Sequence, residues 1–273
     1  MHVIWVPAVA LLLCAPPLCA QLRPLEPFDW GTFTTAQKMH AHARIGMYHD
    51  QRASLAGTAG SLVELGELGL YLRVGTVVLE FAGTPQRWYD EETAFAAPTG
   101  GALSDADGKR HDSGDYRVAT AVRLTSAQSP TILALRFGTR LPTTDNKVGL
   151  DRDQIDFFAL LGMQHKREPF SVSLEIGLGI NGTRIDTYEQ SDVVQYAGGL
   201  AWRRASVQTS LMFVGQEDLK QRPIRGNEDL GEARLGLRIG QRRWLEAAFV
   251  RGYRNFSPEA GFLIGGGYAF DWR

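Results

Sequence analysis

Arginines and carboxylates recur at alternate positions within segments that are otherwise apolar at the intervening positions: Arg117 and Arg123, Arg136 and Arg140, Arg234 and Arg238, with Glu175, Glu246, Asp156 and Arg44 in similar settings. A period of two places residues on one face of a β-strand. The ten are therefore expected to line an interior, together with Arg203, Glu80, Glu232 and Asp271. Two kinds of chemistry suit such a lining. In a narrow interior the opposite charges would pair into a structural ladder. In a wider one, an arginine-rich wall would make a constriction that favours anions or polarises an aromatic ring. Arg136 and Arg140 are expected to face Asp156, with Arg117 and Arg123 beside them.

Other constellations are weaker. His40-Ala41-His42 sets two imidazoles on one strand face. Two histidines at this spacing can chelate zinc or copper, but a site needs a third or fourth ligand. Asp271 is the nearest candidate, and the charge of Arg44 on the same face would repel a cation, so two polar lining residues are the plainer expectation. Asp105-Ala106-Asp107-Gly108 has the look of a calcium-binding turn without the later bidentate glutamate. Gly265-Gly266-Gly267 lies inside a strand pattern and is no phosphate loop. His165 and Ser171 fall on opposite faces of successive strands, a geometry that makes no hydrolytic pair. No catalytic residue, metal or cofactor is expected, and the protein is not expected to be an enzyme.

The elements that must position these residues are strands. Phe170, Val172, Leu174, Ile176, Leu178 and Ile180 alternate with Ser171, Ser173, Glu175, Gly177, Gly179 and Asn181, a spacing no helix can use. Similar segments recur about twelve times. The breaks between them alternate in length: Arg73–Gly75, Ser126–Pro130, Arg167–Pro169, Arg204–Ala205 and Gln241–Arg242 are short, and those between are longer. Segment Ser61–Arg73 carries apolar residues on both parities, which suggests a bulge. Short and long connections in alternation, with both chain ends on the short side, are the pattern of an outer-membrane barrel. Aromatic residues are expected at its two interfaces: Phe170, Trp202, Trp244 and Trp272 at the short-turn end, and Tyr48, Trp88, Tyr89, Tyr116 and Tyr253 at the other.

The chain ends agree with that reading. Met1–Ala20 carries an apolar run from Val3 to Leu13 and a small residue before Gln21, as in a signal peptide cleaved after Ala20. The final segment, Gly261 to Trp272, alternates bulky with small residues, as a closing barrel strand does. The only two cysteines, Cys14 and Cys19, lie in the leader, so disulfides and thiolate metal sites are excluded from the mature chain. No later apolar run approaches the ~20 residues of a spanning helix. Charge is balanced, 29 Lys+Arg against 30 Asp+Glu, which gives no support to the concentrated basic face of a nucleic-acid binder, and no nucleic-acid partner is expected.

The stretch Leu135-Arg136-Phe137-Gly138-Thr139-Arg140-Leu141-Pro142-Thr143-Thr144-Asp145, followed by Asp153-Gln154-Ile155-Asp156-Phe157, resembles the outer-membrane transporter-like family named for the MetA pathway of phenol degradation. The family pattern often has Gly where Thr144 stands. The resemblance implies a barrel that passes or binds small hydrophobic or aromatic compounds, and brings no catalytic residues. The expectation is an all-β protein: a single antiparallel transmembrane β-barrel of about twelve strands in the bacterial outer membrane. Residues 1–20 would be the signal peptide, 21–37 a periplasmic arm and 38–273 the barrel. It would pass or bind a small solute, contact outer-membrane lipid, and meet the barrel-assembly machinery through its last strand. The alternatives are a structural or assembly barrel with a plugged lumen, and an outer-membrane lipid hydrolase.

Overall fold

The computed structural model describes residues 18–19, 22–95, 108–143, 148–182, 190–219 and 228–271. Most of the leader, Asp105-Ala106-Asp107 and Trp272 lie outside the described residues. The wall is a closed antiparallel ring of twelve strands. They are β1 (Met39–Ala53), β2 (Thr58–Val74), β3 (Val77–Gly83, resumed as Gln86–Ala94) and β4 (Lys109–Asp112, resumed as Tyr116–Arg123). Then come β5 (Thr131–Leu141), β6 (Asp156–Arg167), β7 (Phe170–Gly182), β8 (Gln190–Arg204), β9 (Val207–Asp218), β10 (Leu230–Gly240), β11 (Arg243–Gly252) and β12 (Ala260–Phe270). Each strand pairs with its sequence neighbours, and β12 closes on β1 from Phe270↔Met39 to Ala260↔His49. Closure leaves no free sheet edge, the condition for crossing lipid with strands.

The outer face is greasy because its parity is apolar: Leu245, Ile264, Phe262, Leu235, Ile176 and Leu178 are all exposed there. Phe170, Trp202, Tyr268 and Phe270 sit at the end of the ring with the short turns, and Trp88, Tyr116 and Tyr253 toward the end with the long connections. Three residues expected in these girdles are not in them. Tyr48, Tyr89 and Trp244 are buried inside the ring. Trp244 shares the parity of Glu246, and Tyr48 that of Arg44, so their strands turn them inward. Tyr89 is inward for another reason.

In four adjacent strands the alternation reverses partway along. Glu67 and Tyr71 face inward below Gly66, and Leu62 and Glu64 above it. Gly66 is the extra residue of a bulge between the pairs Arg44↔Glu67 and Ile45↔Leu65, in a left-handed conformation (φ 69°) that favours glycine. In β3 the inward set changes from Val78 and Glu80 to Arg87 and Tyr89 across Thr84-Pro85, and in β4 it changes across Ser113–Asp115. A second register shift lies in β1 between Tyr48 and Gln51.

The segment before β1 is not a periplasmic extension. It runs through the lumen. Gln51 Nε2 donates to the carbonyl of Leu22 at the long-connection end (3.2 Å). The guanidinium of Arg73 donates to the carbonyls of Thr32 and Ala36 at the short-turn end (3.1 and 3.2 Å). Along it, Phe28, Trp30 and, in the single helical turn α1 (Gly31–Thr34), Phe33 pack against Tyr71, Val78, Ala121, Ile132 and Ala134 of β2–β5. The arm goes inside because its rings and charges find partners there.

A Cβ on Gly162 would meet Trp30 Cη2 at 2.7 Å. Gly162→Val should therefore overpack the arm and lower stability by about 1–3 kcal/mol in urea titrations of the detergent-solubilised protein. An unchanged midpoint would mean that Trp30 is not seated against β6. The unaltered protein should give a β-type circular dichroism spectrum and a gel mobility that shifts on boiling.

Candidate functional site

Charges carried by the arm complete ion pairs begun by the wall. Arg23 holds Glu232 with two nitrogens (2.8 and 2.7 Å) and Glu64 with the third (3.2 Å), while its guanidinium carbon lies 4.0 Å from the Tyr48 ring centroid. Arg87 bridges Glu64 (2.8 Å) to Asp151. Deeper in, Glu26 joins Arg234 (2.7 Å) and Arg44 (3.5 Å). Arg44 also meets Glu67 (3.4 Å) and Glu246 (2.7 Å), and Glu246 meets Arg238 (2.8 Å), whose other side reaches Asp29 at 3.9 Å.

The other wall has its own cluster. Arg136 is bidentate on Glu80 (2.8 and 3.0 Å) and also reaches Glu175 (3.1 Å) and the carbonyl of Glu26 (3.0 Å). Arg117 shares Glu80, and the second oxygen of Glu175 accepts the backbone N–H of Phe28 (2.7 Å). Buried charges are tolerable in such a setting because each oxygen is occupied.

The structure thus brings together Arg44, Arg234, Arg238 and Glu246 in one cluster, and Arg117, Arg136 and Glu175 in another. It separates the rest of the expected arginine sector. Arg140 sits nearer the long connections, 3.6 Å from Asp115 and 3.9 Å from Asp156. Arg123 bends to the turn and donates to the carbonyls of Thr125 and Ser126 (3.2 and 2.6 Å). Arg203 binds Gln208 (2.9 Å), and Asp271 accepts the N–H of Lys38 (3.0 Å) rather than lining the interior. Arg23, Glu26 and Asp29 were missed because the arm has no alternation to assign them to a face.

The histidine pair divides its work. His40 Nε2 bonds Thr35 Oγ1 (2.7 Å), and His42 packs against the Tyr71 ring at 5.8 Å. Among the described residues no three His, Cys, Asp or Glu converge as metal ligands. His165 bonds Thr131 Oγ1 on the outer face (2.8 Å), whereas Ser171 points inward, so the two are not a pair.

The arm fills only one side of the lumen. Between it and β7–β12 lies a cavity of about 240 Å³. Small or polar inward residues, Ser171, Ser173, Gly199, Ser210, Gly236 and Gly265, make much of its wall, with Met212 and Leu263 among them. Arg44, Glu246 and Arg238 border it, and it reaches the short-turn end at Lys166 and Glu168. There a hydrogen bond from Lys166 (2.7 Å), with its charge, holds the exposed Glu168 carboxyl below the usual carboxylate range. Toward the long connections the inward residues Gln195, Val214, Gln216 and Glu232 are buried, and the lumen narrows. The cavity thus reaches the short-turn end and is closed toward the long connections, with the arm along one side.

Among the described residues, replacing Arg136 by Ala leaves Glu80 with Arg117 alone and Glu175 with no cation, holding only the Phe28 N–H, in the interior. The loss should be about 3–5 kcal/mol in urea unfolding, whereas Arg203→Ala at the exposed mouth should cost less than about 1 kcal/mol. Equal losses would mean that the inner cluster is solvated.

No protein-family model and no curated protein matches the chain. Solved structures do. An outer membrane channel from Pseudomonas putida F1 superposes with a TM-score of 0.58 at 12% identity, over 90% of this chain and 100% of that one. The NanC porin gives 0.51 at 8% identity, over 85% and 100%. At such identities the likeness carries the fold alone, a closed antiparallel β-barrel.

Proposed function

We propose that the protein is a passive outer-membrane channel, or a binding barrel, for a small polar solute, with the lumenal arm as its constriction. The observation that carries this reading is the cavity beside the arm. A purely structural barrel would need no such space, and here one half of the wall keeps it clear with serine and glycine. On this reading the mouth faces the periplasm, because outer-membrane barrels have their short turns on that side. Two solved channels share the fold, one described as an outer membrane channel and one as a porin. Arg44, Arg238, Glu246 and the serines beside the cavity support a solute that carries hydroxyl or charged groups, while Phe28, Trp30 and Met212 offer it an apolar side.

Passage beyond the cavity requires the arm to yield, and Glu26 is its central tether. In planar bilayers the unaltered protein should show small stepwise currents. Glu26→Gln, which removes the charge between Arg234 and Arg44, should raise the step size while the barrel stays folded. Stepwise current from neither protein would favour the structural-barrel reading. Identical steps from both would remove the arm from the conduction path.

A further inference from the structure

The outer wall carries a second feature that the lumen does not use. At the short-turn end of β10–β12, the guanidinium carbons of Arg242 and Arg243 lie 5.5 and 5.3 Å from the centroid of one ring, Tyr268. Arg243 and Tyr268 are direct partners across the β11–β12 ladder. Arg242 is fixed by donating Nε to the carbonyl of Ala269 (3.1 Å) and by accepting the Ala269 N–H (2.8 Å). Phe270 stacks on Tyr268 at 5.5 Å with 15° between the planes. Two like charges are thus held beside one aromatic platform. Among the described residues neither arginine has a carboxylate partner, and both are exposed.

Position gives this arrangement its meaning. Arg243 has the parity of Leu245, which is 73% exposed, and Ile239 and Ile264 continue the apolar surface toward the middle of the membrane. The arginines therefore sit where acyl chains end and headgroups begin. Guanidinium groups match phosphate oxygens in pairs, and aromatic rings settle at the same depth.

We infer that Arg242, Arg243 and Tyr268 form a docking site on the barrel wall for the phosphate of one anionic glycerophospholipid, whose acyl chains lie along Leu245, Ile239 and Ile264. The site rests on the membrane placement of the barrel and is independent of what the lumen conducts. Each guanidinium at the headgroup level contributes attraction to an anionic lipid.

Native mass spectrometry of the full mature protein in detergent tests it, with phosphatidylglycerol and phosphatidylcholine of the same acyl chains as probes. The unaltered protein should retain phosphatidylglycerol in preference, and Arg242→Gln with Arg243→Gln should weaken that retention about fivefold for each arginine removed. Arg251→Gln, an exposed arginine at the other end of β11 that pairs with Glu259, should change nothing. Excess inorganic phosphate should fail to displace the lipid. Equal retention by the double variant, equal retention of the two lipids, or displacement by inorganic phosphate would each overturn the proposal. If the double variant does not give the heat-shifted band of a folded barrel, the two single substitutions carry the same comparison.

Discussion

Charge neutrality inside a narrow lumen is the constraint on which the rest of this structure depends. A barrel buries its inward side chains at membrane depth, where an unpaired ion is costly. The wall supplies arginines and carboxylates in clusters that are not closed on themselves. Arg44, Arg234 and Arg238 meet Glu26 and Asp29, while Glu64 and Glu232 meet Arg23. The arm is thus held less by its backbone than by the sites its charges fill. Its rings then find the apolar pocket between Tyr71, Val78, Ala121 and Ala134.

That attachment divides the lumen unevenly. On the side of β2–β6 the arm is packed against the wall, and Arg136 bridges both to Glu80 and Glu175. On the side of β7–β12 the wall offers serine and glycine instead of bulk, and space remains. Ion pairs and open space, which look like alternatives when the arginines are read as one set, share one cross-section: the Arg136–Glu80 cluster lies on the packed side, and the network of Arg234, Glu26, Arg44, Glu246 and Arg238 borders the cavity. Arg44 and Arg238 belong to both, since each is ion-paired and each borders the cavity.

Much of this was legible in the chain. Alternation such as that of Phe170–Ile180 fixes which face is greasy, and break lengths fix the connectivity, because both follow from the pleat and from hairpin closure. The bulge in Ser61–Arg73 was visible as apolar residues on both parities. Trp244 was legible too, since Glu246 sets its parity, but its type suggested a girdle. Tyr89 was harder to place, because it stands beside Trp88 and the reversal at Thr84-Pro85 decides which of the two faces inward. The arm was invisible for a deeper reason. Its place is set by partners such as Glu232, 209 positions away from Arg23, and no short-range periodicity reports a contact of that span.

The reversals in β1 to β4 bear on how this wall can change over generations. Each lets the outer part of a strand turn its other face inward while the inner part keeps its own. A single-residue deletion in one of these strands would put its outer half out of phase with its neighbours, exposing Arg87 or Glu64 to lipid and turning Trp88 or Leu65 into the lumen. Length changes should therefore be inherited together across the four strands, as correlated insertions and deletions near Asp50, Gly66, Pro85 and Gly114. The strands from β5 onward, with unbroken alternation, are free of that linkage.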